Sequence, residues 1–305
     1  MKINRRRFIF GSVLVGGGAL FTYSATRPSR HRRANVDLAQ GEERYITSFI
    51  KIEPGNEITI YVPHSEMGQG IHTSLSMMAA DELDANWEEV NIEQAPAIDL
   101  FANGDLVRGF AGEFGVPDFL MGLVGASAFA VAEIGNLQTT GGSSSVRYTG
   151  EHGMRVAGAA ARKMLIEAAA VRWGVPVEGL STKLSHVQHN ATGRSFSYGE
   201  LAAEAALMEP PENPRLKDRS QFNIMGKAIS RNDIPAKVDG SAMYGLDAHS
   251  DDMLYAAIRM APVFGTKLVS ANTQPAFSVR GVEDVIELED SVAVVADSYW
   301  RAKKA

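Results

Sequence analysis

Short apolar runs separated by Pro, Gly and Asn open the foldable part of the chain. Ile46–Ile52 and Glu57–Val62 flank Pro54-Gly55-Asn56, which predicts a strand–turn–strand unit. From Ile71 onward, Leu75, Met78, Ala79 and Leu83 recur at helical spacing, with Met77 and Met78 as core filler. Val90–Gln94 predicts a further strand, while residues 95–115 are glycine-rich and carry no clear period. A long helix is expected from about Gly150–Arg155 to Trp173, with Val156, Ala160, Met164, Ala168 and Val171 on one face. Gly174 and Pro176 stop it. Thr182–His189 reads as a strand and Asn190–Gly193 as its turn. Pro210, Pro211 and Pro214, set among charges across Met208–Arg219, mark a boundary. Beyond it come the strand candidates Leu254–Met260, Val282–Leu288 and Val292–Ala296, with a short helix over Asn272–Val279. The expected fold class is α+β, with no internal repeat.

At 305 residues the chain has room for about two domains. Its 45% hydrophobic and 22% charged residues are ordinary for a globular protein. The net charge of −6 is unevenly spread. Residues 1–33 hold Lys2, Arg5, Arg6, Arg7, Arg27, Arg30, Arg32 and Arg33 and no acid, so the rest carries −14 (−6 less +8). An acidic body argues against a nucleic-acid partner, which would need a basic face. Cys is absent, which excludes disulfides, thiolate metal sites, iron–sulfur clusters and a thiol nucleophile in this chain. Any electrons leaving a redox centre here must pass to a different chain.

Asn4-Arg5-Arg6-Arg7-Phe8-Ile9-Phe10 followed by an uncharged run from Gly11 to Ala25 predicts a bacterial export signal. The arginine pair ahead of Phe8 is similar to a twin-arginine address, although Asn4 stands where Ser or Thr is usual and Phe10 where Lys is common. Thr22-Tyr23-Ser24 is a poor cleavage site, which leaves open a retained membrane anchor. The competing reading is a basic N-terminal arm. The domain expectation is a signal or anchor over 1–33, a linker over 34–44, a first domain over 45–215 and a second over 220–305.

Two loops carry candidate chemistry. In Glu66-Met67-Gly68-Gln69-Gly70-Ile71-His72-Thr73, two glycines bracket a glutamine just before a helix. Bare backbone can approach a ligand closely there, and the amides of a helix start favour an anion. The Gln69 carboxamide adds two donors and an acceptor. The second loop is Gln138-Thr139-Thr140-Gly141-Gly142-Ser143-Ser144-Ser145, ahead of the small-residue run Ala157-Gly158-Ala159-Ala160-Ala161. The plainer alternatives are a tight turn for the first loop, a flexible linker for the second and tight helix packing for the alanines.

Together these stretches resemble the molybdopterin-binding subunit of the xanthine dehydrogenase superfamily. The likeness is to the branch of isoquinoline 1-oxidoreductase beta subunits and membrane-bound aldehyde dehydrogenases. The second loop with Val146-Arg147, and then Arg155–Arg162, continues the likeness. A third stretch, Gly226-Lys227 through Arg231, Asp233, Lys237-Val238, Gly240, Ala242, Tyr244 and Asp247, with Met253–Ala256 after it, resembles the opening of the family's α/β hammerhead domain. The resemblance spans most of 45–305. It implies the first part of a molybdopterin-binding α/β domain followed by an incomplete hammerhead. The implied cofactor is molybdopterin cytosine dinucleotide with molybdenum. Gly68, Gln69 and Gly70 would lie near the pterin, and Thr140, Gly141, Gly142, Ser143, Ser144 and Ser145 would donate to it or to its phosphates.

The implied activity is oxidation of an N-heteroaromatic or aldehyde substrate with water as oxygen donor. Electrons would pass to a small [2Fe-2S] subunit, with a cytochrome c subunit as a further partner, in the periplasm and in association with the membrane. The family's glutamate base lies far downstream, so no catalytic residue is expected before Ala305, and the chain reads as a truncated chain, split gene or gene fragment. Glu66 is expected to be structural. His64 and His72, eight apart, fit no metal pattern, and His186 and His189 alternate on a strand face, so no metal ligand is assigned. The rival reading is a non-catalytic exported binding or assembly protein, or a pseudogene product, with the same fold.

Overall fold

The structure, a computed structural model, describes residues 27–305 except 107, 108, 110–112, 114, 116, 139, 140, 212 and 264. The export-signal stretch up to residue 26, and Thr140 of the second loop, lie outside the described residues. The chain divides into two compact units that meet between Ile234 and Pro235.

In the first unit, β1 (Arg44–Thr47), β2 (Ile50–Ile52), β3 (Ile58–Val62) and β4 (Val90–Gln94) lie side by side in that order. The first three pair antiparallel through short turns, whereas β3 and β4 pair parallel, Ile60 opposite Ile92. A parallel pair needs a crossover. Here it is a helix over Ile71–Leu83, so the glycine loop sits between the carboxyl end of β3 and the start of that helix. All five β3 residues are buried. Tyr61, on the opposite pleat face from Ile60 and Val62, packs with Tyr45 and Phe101 at centroid distances of 5.8 and 5.1 Å.

The expected linker over 34–44 begins inside a helix. Arg30–Asp37 form helix α1, with Ala34 fully buried. Arg27 and Arg33 pair with Asp99 and Glu133, and the Arg30 guanidinium lies 4.8 Å from the Phe129 ring centre while donating to the Ala102 carbonyl at 2.8 Å. Arginines 27, 30 and 33, read from sequence as part of the signal or anchor, are therefore tied into the body of this unit. The crossover Ile71–Leu83 is α2. A helix the periodicity did not yield, α3, spans Asp118–Ile134. It is apolar nearly all round and interrupted by Gly122 and Gly125, so it has no polar face for a period to reveal.

The long helix starts earlier than expected. Ser143–Ser145 are helical, Val146–Met154 are π-helical, and α4 (Arg155–Trp173) continues without a break. α4 lies directly on α2: a Cβ at Gly158 would fall 2.2 Å from the Ala79 carbonyl oxygen, so only glycine admits this approach. Val171, expected to face inward, is exposed: it follows Lys163 and Glu167 on the outward face of α4, while Ala168, Ala169 and Ala170 beside it are buried.

The expected strand Thr182–His189 is two strands, β5 (Leu180–Lys183) and β6 (His186–His189). Leu184 and Ser185 turn between them with φ of 47° and 60°. This turn is usually signalled by Asn-Gly. Here tertiary bonds hold it instead: the Ser185 amide donates to the Asp84 carbonyl at 2.9 Å, and the Ser185 carbonyl accepts from the Tyr198 amide at 2.9 Å. β7 (Ser195–Ser197) completes this sheet, and α5 (Tyr198–Ala205) starts from a Ser197–Glu200 capping box.

Past the prolines the chain is strapped to α2. Asp81 accepts from the amides of Asn223, Ile224 and Met225 at 3.1, 3.1 and 2.8 Å. Glu82, fully buried, accepts from Arg155 Nη2 at 2.6 Å and from the Lys217 amide at 3.0 Å. Lys217 Nζ donates to Asp84 at 2.6 Å and also reaches the Asp81 carbonyl. Buried charges persist only when paired and hydrogen-bonded, and this cluster meets that condition.

Helix α6 (Ile234–Asp239) begins at the division between units. The second unit contains β8 (Tyr255–Met260), β9 (Val282–Glu287) and β10 (Ser291–Ala296), ordered β8–β10–β9 and antiparallel throughout. A 3-10 turn over Gln274–Ser278 stands where a short helix was expected, and α7 (Tyr299–Lys304) follows β10. Helices and mixed or antiparallel sheets make the fold class α+β.

Candidate functional site

The first glycine loop has its shape set by its own acid. Gly68 and Gly70 take φ of 97° and 79°, left-handed values that suit glycine. The turn aims the Gly68, Gly70 and His72 amides at one point, and the Glu66 carboxylate occupies it, at 2.8, 2.9 and 3.2 Å. Burial works to raise the Glu66 carboxyl. The three amides, with Arg231 beside them, outweigh it and hold the group below the ordinary carboxylate range. The expectation that these amides face an external anion is corrected here: the anion they hold is internal. Glu66, expected to be structural, is engaged by three amides of its own loop.

Gln69 faces the other loop. Its Nε2 donates to the Gly141 carbonyl at 2.9 Å and to the Ser65 carbonyl at 3.0 Å, while its Oε1 accepts from the Met67 amide. The two glycine-rich loops, separated by about seventy residues of sequence, therefore meet. Gly142 precedes the start of the long helix, and a Cβ there or at Gly68 would meet nothing within 4 Å. Space is open at both points. Ser143 and Ser144 are exposed at the helix start, whereas Ser145 is buried, its Oγ 2.6 Å from where a Gly141 Cβ would stand. Of the three serines, the first two can present hydroxyls and first-turn amides to an anion. Gln138 anchors its loop by donating to the Ala95 carbonyl at 3.1 Å.

Behind the first loop is a buried polar cluster. His64 Nε2 lies 2.9 Å from Thr149 Oγ1 and 3.0 Å from Asn103 Nδ2, and His72 Nε2 donates to the His64 carbonyl at 2.8 Å. Thr149 belongs to the π-helical segment, a conformation found often at functional sites. Both histidines hold backbone and neighbours in place. His186 and His189 sit on β6, where they bond the Leu184 carbonyl and the Thr192 hydroxyl. Among the described residues, no group of three His, Asp or Glu side chains is arranged to hold a metal ion.

Sequence reasoning passed over three residues here. Asn103 and Thr149 lie in segments with no readable period. Arg231, quoted only as part of a longer string, donates to the Gly68 carbonyl at 2.7 Å. The acid–x–Gly–x–Gly spacing before a helix was the available sign that Glu66 fills its own nest.

Residues 16–105 match the molybdopterin cofactor-binding domain family, a stretch that contains the first glycine loop and stops before the second. The chain is similar to the beta subunit of isoquinoline 1-oxidoreductase from Brevundimonas diminuta, 31% identical over 84% of this chain and 34% of that protein. It is also similar to the membrane-bound aldehyde dehydrogenase [pyrroloquinoline-quinone] of Gluconacetobacter polyoxogenes, 29% identical over 100% of this chain and 36% of that one. The nicotinate dehydrogenase B subunit from Pseudomonas putida is 26% identical over 87% of this chain and 20% of its own length. The chain thus spans about a third, or less, of the length of the relatives it matches.

Proposed function

Because the chain belongs to the molybdopterin-binding large subunits of the xanthine dehydrogenase family, we propose that it supplies part of the cofactor-holding face of an exported molybdenum hydroxylase. One observation carries this reading: the Gln69–Gly141 bond, which joins a helix-start serine loop to the loop at the carboxyl end of β3. In mixed α/β sheets, ligands gather outside the carboxyl ends of strands. The donor set fits a polar, anionic group. Open space lies over Gly68 and Gly142, exposed hydroxyls at Ser143 and Ser144, and a carboxamide at Gln69.

In this reading, Ser143, Ser144 and the amides of the first helical turn hold the phosphates of a molybdopterin cytosine dinucleotide. Gly68 and Gly70 would let the pterin approach the backbone, and Gln69 would hold the two loops together beside it. Thr140 stays in the proposed set on sequence grounds. When bound, the cofactor supplies two-electron oxidation of an aldehyde or N-heteroaromatic carbon with water as oxygen donor. The residues of this chain bind, orient and exclude water; the proton-abstracting glutamate is placed outside this stretch. Electrons leave through a small [2Fe-2S] subunit, since a chain without Cys cannot ligate a cluster. A cytochrome c subunit is a further proposed partner. One relative is named for pyrroloquinoline quinone, but the family match over residues 16–105 favours the pterin.

We read the second unit as part of the hammerhead domain, and the periplasm as the site of action by the twin-arginine route. No helix among the described residues is long and apolar enough to cross a membrane. The test is compositional. Protein purified from its native host should contain molybdenum by elemental analysis and release CMP on acid hydrolysis, and Gln69→Ala should lower both. Protein without either component, from cells that assemble other molybdenum enzymes, would overturn the proposal.

A further inference from the structure

We infer that Arg231 is a positioning residue for the first glycine loop, holding it in its ligand-ready shape through the Gly68 carbonyl and Glu66. The inference rests on the cofactor reading for its consequence, and on geometry alone for its premise. Glu66 takes the Gly68, Gly70 and His72 amides, and the Gly68 carbonyl takes its donor from elsewhere in the chain. Arg231 provides one: Nη1 donates to the Gly68 carbonyl at 2.7 Å, and Nη2 lies 3.5 Å from Glu66 Oε1. The guanidinium is itself oriented by a two-pronged pair with Asp233, Nε to Oδ1 at 2.9 Å and Nη2 to Oδ2 at 2.6 Å. Paired forks of this kind fix direction as well as charge.

The next residue repeats the grip one turn into α2. The Asn232 amide donates to Thr73 Oγ1 at 3.1 Å, and that hydroxyl donates to Asn232 Oδ1 at 2.8 Å. The side chain of Arg231 also lies 3.8 Å from where a Gly70 Cβ would stand, so it covers the second left-handed glycine. Residues 231–233 thus touch Glu66, Gly68 and Thr73, and Arg231 covers Gly70. Gln69, the residue between the two glycines, is left to turn toward Gly141.

The pairing has a chemical consequence. Lys at 231 could still donate to the Gly68 carbonyl, but a single ammonium cannot also span Asp233 and Glu66 in one plane. Arg231→Lys should therefore rescue part of what Arg231→Ala loses.

The experiment compares wild type, Arg231→Ala and Arg231→Lys in the full chain, purified from the native host. Hydrogen–deuterium exchange is read on peptides covering 66–73, with 217–225 as reference, and molybdenum and CMP are measured per chain. Arg231→Ala should speed exchange at 66–73 by tenfold or more, leave 217–225 within twofold, and at least halve molybdenum and CMP; Arg231→Lys should fall between. Unchanged exchange at 66–73 in Arg231→Ala would overturn the positioning role, as would equal loss of protection in both segments. If Arg231→Ala does not accumulate, full protection at 66–73 in Arg231→Lys overturns it. Wild type lacking molybdenum and CMP, with faster loop exchange in Arg231→Ala, would overturn the cofactor reading and leave the positioning role standing.

Discussion

Replacing Gly158 by Ala tests whether the α2–α4 contact is as close as described. Substituting Ala for Gly inside a helix ordinarily stabilises it by about 1 kcal/mol. Here the added carbon would stand 2.2 Å from the Ala79 carbonyl oxygen, 2.9 Å from Glu82 Cβ and 3.0 Å from the Ala79 carbonyl carbon. Those atoms are backbone or the first side-chain carbon, so no rotamer change clears them. The helices must part by about 1 Å to reach ordinary contact near 3.4 Å. Overpacking of this kind costs about 1–3 kcal/mol. Parting the helices also pulls Arg155 from Glu82, now 2.6 Å apart, and breaking a buried pair outright costs about 3–5 kcal/mol. Together these outweigh the propensity gain, for a net loss of about 3–7 kcal/mol if the pair breaks outright, or a melting temperature lower by at least about 6 °C. Gly122→Ala in α3 is the control, since a Cβ there meets nothing within 4 Å. It should hold or raise stability by up to about 1 kcal/mol. Calorimetry on both variants decides the matter; equal shifts for the two would refute the claim that backbone proximity at Gly158 is limiting.

Asp81→Ala removes the acceptor of three backbone amides and one contact of the buried Lys217, so it should cost about 3–5 kcal/mol in urea unfolding and speed tryptic cleavage after Lys217 and Arg219. Glu66 titrates below the ordinary carboxylate range when folded, so its stabilisation is present above about pH 4.5 and is lost as pH falls through the folded value. The urea midpoint of Glu66→Gln should accordingly fall less steeply on acidification than that of wild type. Tyr198→Phe leaves the buried Leu83 carbonyl without the hydroxyl that donates to it at 2.6 Å, and should lower unfolding free energy by about 1–2 kcal/mol.

Elements with strong period or clear punctuation were legible. The β2–β3 hairpin, α2 from Ile71, β4 and the strands of the second unit fall where alternation and turn residues put them. Helix α1 was hidden because its arginines look like a solvated or targeting segment until Asp99 and Glu133 come into reach. The Leu184-Ser185 turn was hidden because its positive φ values are enforced by Asp84 and Tyr198, not by turn residues. In the candidate site, the two loops could be read from their glycines, and so could the structural part assigned to Glu66. What the sequence could not convey was direction: that Ser145 would turn inward, and that Arg231 would reach back across more than 160 residues to Gly68.

The wide turns of Val146–Met154 mean that the two ends of the 143–173 helix do not share one α-helical lattice. The glycine-and-alanine face near residue 158 can thus be locked to its neighbour while the serine end takes an independent azimuth. An α-helix advances by about 100° per residue. Dropping one residue from this run, a change an exposed loop would absorb, would turn Ser143, Ser144 and the Gly141 carbonyl that Gln69 holds by roughly a quarter-turn relative to α4. Chain length between 146 and 154 is therefore a fixed dimension of the site, and so is residue identity at Gly150 and Gly153, where a Cβ would stand 2.5 Å from Met78 Sδ and 2.7 Å from Asp105 Oδ2.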